Sequence, residues 1–197
     1  MKKLFALALV IGLAVGVTAC GDGGKAVADT AIKAAESAFS AASAEAMKYV
    51  PDQAKSVEGA IAAAKAAFDK GDFKGATAAA SELTAKITAL GEAATAKKAE
   101  LTTAWEGLST GLPGVVGAIQ SRVDMLSKSK KLPQGISQEA FDGAKSGLGM
   151  INSAWTEAND AFKSGDVAGA MAKASTVKAK AAEIMGALNM PVPDALK

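Results

Sequence analysis

Apolar residues recur along this chain at alternating steps of three and four, and that spacing points to α-helix. Phe73, Ala76, Ala80, Leu83, Ile87, Leu90 and Ala94 keep the step. It is the a/d spacing that gathers one apolar stripe on one helix face and drives helices together side by side. Leu101, Ala104 and Leu108 continue the register, with Lys97 as its one interruption. Unbroken from Asp72 to Leu108, such a helix would be ~55 Å long at 1.5 Å per residue. Gly91 and Gly107 are expected to weaken it locally. Five further segments carry the same spacing: Ala28 to Tyr49, Ala54 to Phe68, Val116 to Leu126, Phe141 to Phe162, and Val167 to Leu188. The pattern predicts an all-α fold, an antiparallel bundle of about six helices with coiled-coil-like seams.

The boundaries between these segments are marked by residues that stop or start helices. Pro51 suits the first turn of the second helix, and Pro113 and Pro133 are expected to bracket the fourth. Ala67-Phe68-Asp69-Lys70-Gly71-Asp72-Phe73-Lys74-Gly75-Ala76 matches Ala161-Phe162-Lys163-Ser164-Gly165-Asp166-Val167-Ala168-Gly169-Ala170, 94 residues further on. In each copy the glycine suits the left-handed conformation that ends one helix, and the aspartate suits the N-cap of the next. So short a corner makes an αα-hairpin. The flanking stripes stay in step at the same offset, which predicts a duplicated three-helix unit. The stripes are rich in alanine, so the helices are expected to pack closely. Phe68, Phe73, Trp155 and Phe162 would anchor the core near the corners, and Tyr49 would close it at the end of the first helix.

Composition excludes more chemistry than any motif suggests. The chain has 197 residues, 50% of them hydrophobic, and no histidine. Ser-His-Asp and Cys-His catalysis, histidine zinc sites, histidine-ligated haem and Glu-x-x-His di-iron bundles are therefore excluded. Gly147-Leu148-Gly149 lies inside a helical pattern with no strand before it, so it is not a dinucleotide loop. The chain has 22 basic and 20 acidic residues. Without Lys2 and Lys3 the two signs balance, Arg122 is the sole arginine, and no basic block suggests nucleic acid.

The acidic residues Glu36, Glu45, Glu58, Asp69, Glu82, Glu92, Glu100, Glu139, Glu157, Asp160 and Glu183 are scattered, none on a seam. None is expected to be desolvated and activated as an acid or base. Glu157 and Asp160 share a helical face and read as a solvated pair rather than a catalytic or metal-binding one. Lys97 is expected to leave the bundle or to pair with Glu100. Lys128, Lys130 and Lys131 would complement the C-terminal end of a helix dipole. At an anionic lipid surface each would add up to ~1 kcal/mol. The tail Met190 to Lys197 carries two prolines, cannot continue the last helix, and is expected to fray rather than dock.

The N-terminus is of another kind. Met1-Lys2-Lys3 precedes an uncharged apolar run, Leu4 to Val17, and Val17-Thr18-Ala19-Cys20 follows at its end. A charged start and a short apolar run read as an export signal. Small residues ending in Cys20, the chain's one cysteine, resemble the lipobox of bacterial lipoproteins. That resemblance implies cleavage before Cys20, a diacylglycerol thioether on its sulfur and an acyl chain such as palmitate on its amino group. Gly21, rather than an aspartate, favours an outer-membrane address facing the periplasm if the source is Gram-negative. The Gly-Asp corners resemble the helix-turn-helix of tetratricopeptide repeats over one corner per copy. The remainder is similar to alanine-rich helical envelope lipoproteins.

The expected organisation is a signal peptide over 1–19, a lipidated anchor and linker over 20–25, a first helical unit over 26–110, a second over 111–189 and a tail over 190–197. The expected function is that of a non-enzymatic, membrane-anchored envelope lipoprotein, structural or partner-binding. It would meet the membrane through Cys20 and a protein partner or a second copy of itself, with no cofactor, no catalytic residue and no metal. The alternative is a carrier holding a lipid or other apolar molecule between its helices, with Met125, Met150, Met171, Met185 and Met190 lining an adaptable cavity.

Overall fold

The computed structural model describes residues 23–196. Cys20 and the apolar run before it lie outside the described residues. Five helices follow in order: α1 (Gly23–Tyr49), α2 (Pro51–Asp69), α3 (Phe73–Ser127), α4 (Gln138–Lys163) and α5 (Val167–Ala187). A single 3-10 turn, Asp194–Leu196, ends the described chain. Among the described residues there is no strand, so the protein is an all-α helical bundle.

The fourth expected helix is not separate. Val116 to Leu126 form the end of α3, which runs through Pro113 for 55 residues in all. Proline in a helix interior costs roughly 3 kcal/mol, because it removes one i→i−4 bond and crowds the preceding turn. Pro113 sits on an exposed face while its neighbour Leu112 is buried. The carbonyl that Pro113 cannot bond belongs to Ser109, four residues earlier and half-buried. The apolar stripe formed by Leu112, Ile119, Val123 and Leu126 holds the helix on both sides of the proline.

The described residues fall into two compact units. The first comprises 23–41 and Ser56–Ile87. Its core is small: Ala28, Ile32 and Ala35 from α1, Val57, Ile61 and Ala64 from α2, and Ala76, Ala80, Leu83 and Ile87 from α3. Phe68 and Phe73 meet edge to face at its corner, with ring centroids 5.3 Å apart.

The second unit comprises Ala42–Lys55 and the chain from Thr88 onward. Within it, Val50 joins α1 to α2 in a single residue. Its N–H donates back to the Ala46 carbonyl at 2.8 Å, and its carbonyl accepts from Ala54 at 3.1 Å. Pro51 takes the first helical position, where its missing N–H costs nothing. Tyr49 is buried, as the pattern predicts. The main core of this unit is built by α3, α4 and α5 around Trp105, Leu112, Ile119, Leu148, Ile151, Val177, Ile184 and Leu188. Trp105 stacks on both Trp155 (5.4 Å) and Phe162 (4.8 Å).

The tail does not fray. Asn189 adopts a left-handed conformation (φ 53°), and the Met190 N–H reaches the Met185 carbonyl at 2.8 Å, which closes α5. The chain then turns back, and Leu196 is only 6% exposed within the core of the second unit. Met190 and Val192, half-buried against the same core, add to the apolar surface that Leu196 buries and seat the tail.

Candidate functional site

Each corner between paired helices is built by the same four residues in the same geometry. At the first, Gly71 takes φ +81° and the Asp72 N–H reaches the Ala67 carbonyl at 3.0 Å. Asp72 then caps α3 by accepting from the Gly75 N–H at 2.8 Å. At the second, Gly165 takes φ +86°, the Asp166 N–H reaches the Ala161 carbonyl at 2.9 Å, and Asp166 accepts from the Gly169 N–H at 3.4 Å. A positive φ of this size suits glycine alone. Gly75 and Gly169 lie directly against the capping carboxylates. A Cβ at Gly75 would lie 2.1 Å from the capping carboxylate of Asp72, and one at Gly169 would lie 2.4 Å from that of Asp166.

The core positions beside the two corners correspond as well. Ala76, Ala80, Leu83, Ile87, Leu90 and Ala94 are buried on α3, and so are Ala170, Ala174, Val177, Ala181, Ile184 and Leu188 at the matching places. Ala54, Val57 and Ala64 of α2 match the buried Leu148, Ile151 and Ala158 of α4.

Lys98 is half-buried beside the buried ring of Tyr49. Its ammonium donates to Glu45 and lies 5.7 Å from the centre of the Tyr49 ring, all within the second unit. The Glu45 carboxylate holds the Lys98 ammonium above the usual lysine range. Lys97, the interruption in the sequence register, pairs with Glu100 at 2.8 Å on the surface, one of the two outcomes expected for it. In the first unit Lys65 donates to Glu36 at 2.7 Å and is raised likewise. These two groups line a shallow depression with Phe39, Glu58, Ile61 and Ala62.

Glu157 and Asp160 are exposed. Glu157 accepts a hydrogen bond from Lys173 across the α4–α5 hairpin, which holds its carboxyl below the usual range. Asp160 lies 4.0 Å from Lys163. Among the described residues no three of the acidic or cysteine side chains converge to hold a metal. Lys128, Lys130 and Lys131 are exposed just beyond the end of α3. The five methionines do not share one environment. Met185 is buried, Met171 and Met190 are half-buried, and Met125 and Met150 are 58% and 61% exposed. Arg122, half-buried, donates to the Leu188 carbonyl at 3.5 Å, and its Nε is buried without a partner.

The lipidation candidate, Cys20, lies outside the described residues. It precedes the first residue of α1 by three positions, so the linker expected over 20–25 is in part helix. Among the described residues no helix is long and apolar enough to cross a membrane. No family model, no curated protein and no solved structure matches this chain.

Proposed function

We propose that this is a non-enzymatic lipoprotein of a bacterial envelope, anchored through Cys20 and acting as a structural or partner-binding bundle. The observation that carries the reading is Val17-Thr18-Ala19-Cys20 at the end of a Lys-Lys-apolar run, three residues ahead of α1. Two or three acyl chains at one cysteine give a stable anchor, where one chain binds only marginally. The lack of histidine and the exposure of the paired acids support a role without bond-making chemistry. An outer-membrane site facing the periplasm follows from Gly21 if the source has such a membrane.

The bundle reads as a duplicated unit. Matching Gly-Asp corners and matching buried positions on the paired helices support one ancestral hairpin copied once, with a third helix in each copy. The carrier alternative gains no support from the methionines, which lie in different environments.

Intact-protein mass spectrometry tests the anchor. The expected mass is that of residues 20–197 plus a diacylglycerol and an acyl group, and an unmodified Cys20 refutes the reading. Cross-linking in intact cells, with Cys20→Ala as control, tests the partner role. One dominant protein lost in the control supports an adaptor. Capture of its own copies supports a structural assembly, and capture of lipid alone refutes both.

A further inference from the structure

The first unit has one end that lies next to the chain leading to Cys20, and that end is not built like ordinary bundle surface. Only Gly21 and Asp22 lie between Cys20 and α1, and the three steps from Cys20 to Gly23 can span at most about 11 Å. Gly24, at the start of α1, lies beside the corner between α2 and α3. A Cβ on Gly24 would sit 3.9 Å from the Cβ of Phe73. The corner therefore shares the end of the unit that is nearest Cys20. Three features collect there. Phe68 and Phe73 are only half-buried despite their size. Val27, in the second turn of α1, is 37% exposed. Lys25, Lys70 and Lys74 are all exposed. Among the described residues the acids at this end are Asp69 and Asp72, and the Asp72 carboxylate is engaged as the N-cap of α3. The first turn of α1 itself carries no acidic residue against the positive end of its dipole.

We infer that this end of the first unit, formed by the α1 start and the Phe68–Phe73 corner, is a docking surface for the lipid bilayer. The inference rests on lipidation of Cys20. The tether brings the surface to the headgroups, Lys25, Lys70 and Lys74 face their phosphates, and Val27 with the two phenylalanine edges meets the apolar boundary beneath. Each lysine near an anionic surface favours contact by about fivefold in partition. The occupant is a membrane carrying anionic lipid, not a soluble anion, because the apolar edges and the lysines lie on the same end.

The test uses the full lipidated chain in vesicles of phosphatidylethanolamine and phosphatidylglycerol. A thioether at Cys20 leaves a newly introduced cysteine as the one reactive thiol. Lys70→Cys reports the proposed surface. Lys86→Cys, exposed on α3 about 20 Å along the helix from Phe73, reports the side of the same unit. Each is labelled with an environment-sensitive fluorophore and quenched by a nitroxide-headgroup lipid. Quenching several-fold stronger at position 70 than at 86 is expected. A further change, Lys25→Glu with Lys74→Glu, is expected to reduce quenching at 70 while the anchor stays in place. Equal quenching at 70 and 86, or no response to the charge reversal, with the lipid mass present, overturns the docking surface and leaves the lipoprotein reading intact. Absence of the lipid mass overturns both.

Discussion

Gly147 and Gly149 are two residues apart on α4, and the same substitution should move stability in opposite directions at the two sites. Gly149 is exposed, and a Cβ there meets nothing within 4 Å. Gly149→Ala should therefore stabilise by about 1 kcal/mol, the difference in helix propensity. Gly147 is buried against α5. A Cβ there would lie 2.8 Å from Ile184 Cδ1, 3.3 Å from Ile184 Cγ1 and 3.3 Å from Lys180 Cε. Ile184 is only 2% exposed, so its end cannot swing into open space. Overpacking of this kind costs about 1–3 kcal/mol. That cancels or exceeds the propensity gain, so Gly147→Ala should be neutral to about 2 kcal/mol destabilising. Ile184→Val alone costs about 0.5–1.5 kcal/mol. In the Gly147→Ala background it removes Cδ1, so its cost should shrink or reverse. Urea unfolding followed by tryptophan fluorescence is the assay, since both tryptophans, Trp105 and Trp155, lie in the second unit with this hairpin. If Gly147→Ala stabilises as much as Gly149→Ala, or Ile184→Val costs the same in both backgrounds, the close approach of α4 and α5 is wrong.

Asp166→Ala should cost about 1 kcal/mol through loss of the α5 cap, and Asp166→Asn should recover most of it, read from the same unfolding curves. Leu196→Ala should cost about 2 kcal/mol, at the low end for a buried leucine, and an effect near zero would mean the tail is not seated on the core. The raised pKa of Lys98 predicts a small pH-dependent increment. It is fully present below the ordinary lysine value of about 10.4 and fades as pH rises through the higher folded value. With its side chain 40% exposed, solvent screening keeps the increment to a few tenths of a kcal/mol. Glu45→Gln should flatten this part of the stability-versus-pH curve between pH 9 and 12.

Most of the helical plan was legible because alternating three and four steps survive burial unchanged. Ala76 to Ala94 on α3 and Val167 to Leu188 on and just beyond α5 are buried at nearly every expected position. The register fails just after Ala94. The expected path ran through Lys97, Leu101, Ala104 and Leu108. The buried path instead runs eleven residues from Ala94 to Trp105 and on to Leu112, past the half-buried Lys98, leaving Ala104 exposed. Two fours in succession are a local eleven-residue repeat, which re-aims the stripe. That shift brings Lys98 onto Tyr49 and hides Trp105, the aromatic that sequence reasoning overlooked. Its signal was present, since moving the register by one residue puts Trp105 in the place of Ala104. Pro113 was misread for a different reason. A local penalty of a few kcal/mol marks a helix end only when packing on either side is weak, and here Leu112 and Ile119 lie close by. The tail was misread because its two prolines speak only to helix continuation and say nothing of where Leu196 goes.

The capping corners constrain how this chain can change over generations. At Gly75 and Gly169 a methyl group would collide with the carboxylate of the aspartate three residues earlier. An alanine there must push the capping carboxylate aside, so its gain in helix propensity is offset by a weakened cap while the aspartate remains and is felt in full once the aspartate is gone. The reverse order carries its own penalty, because losing the aspartate first leaves a glycine with neither cap nor helix propensity. Losing the aspartate first costs about 1 kcal/mol, and the alanine that follows recovers much of that loss. The two residues at each corner are thus expected to persist together or be lost together. A library varying Asp72 with Gly75, or Asp166 with Gly169, should show that dependence as tolerated pairs rather than tolerated positions.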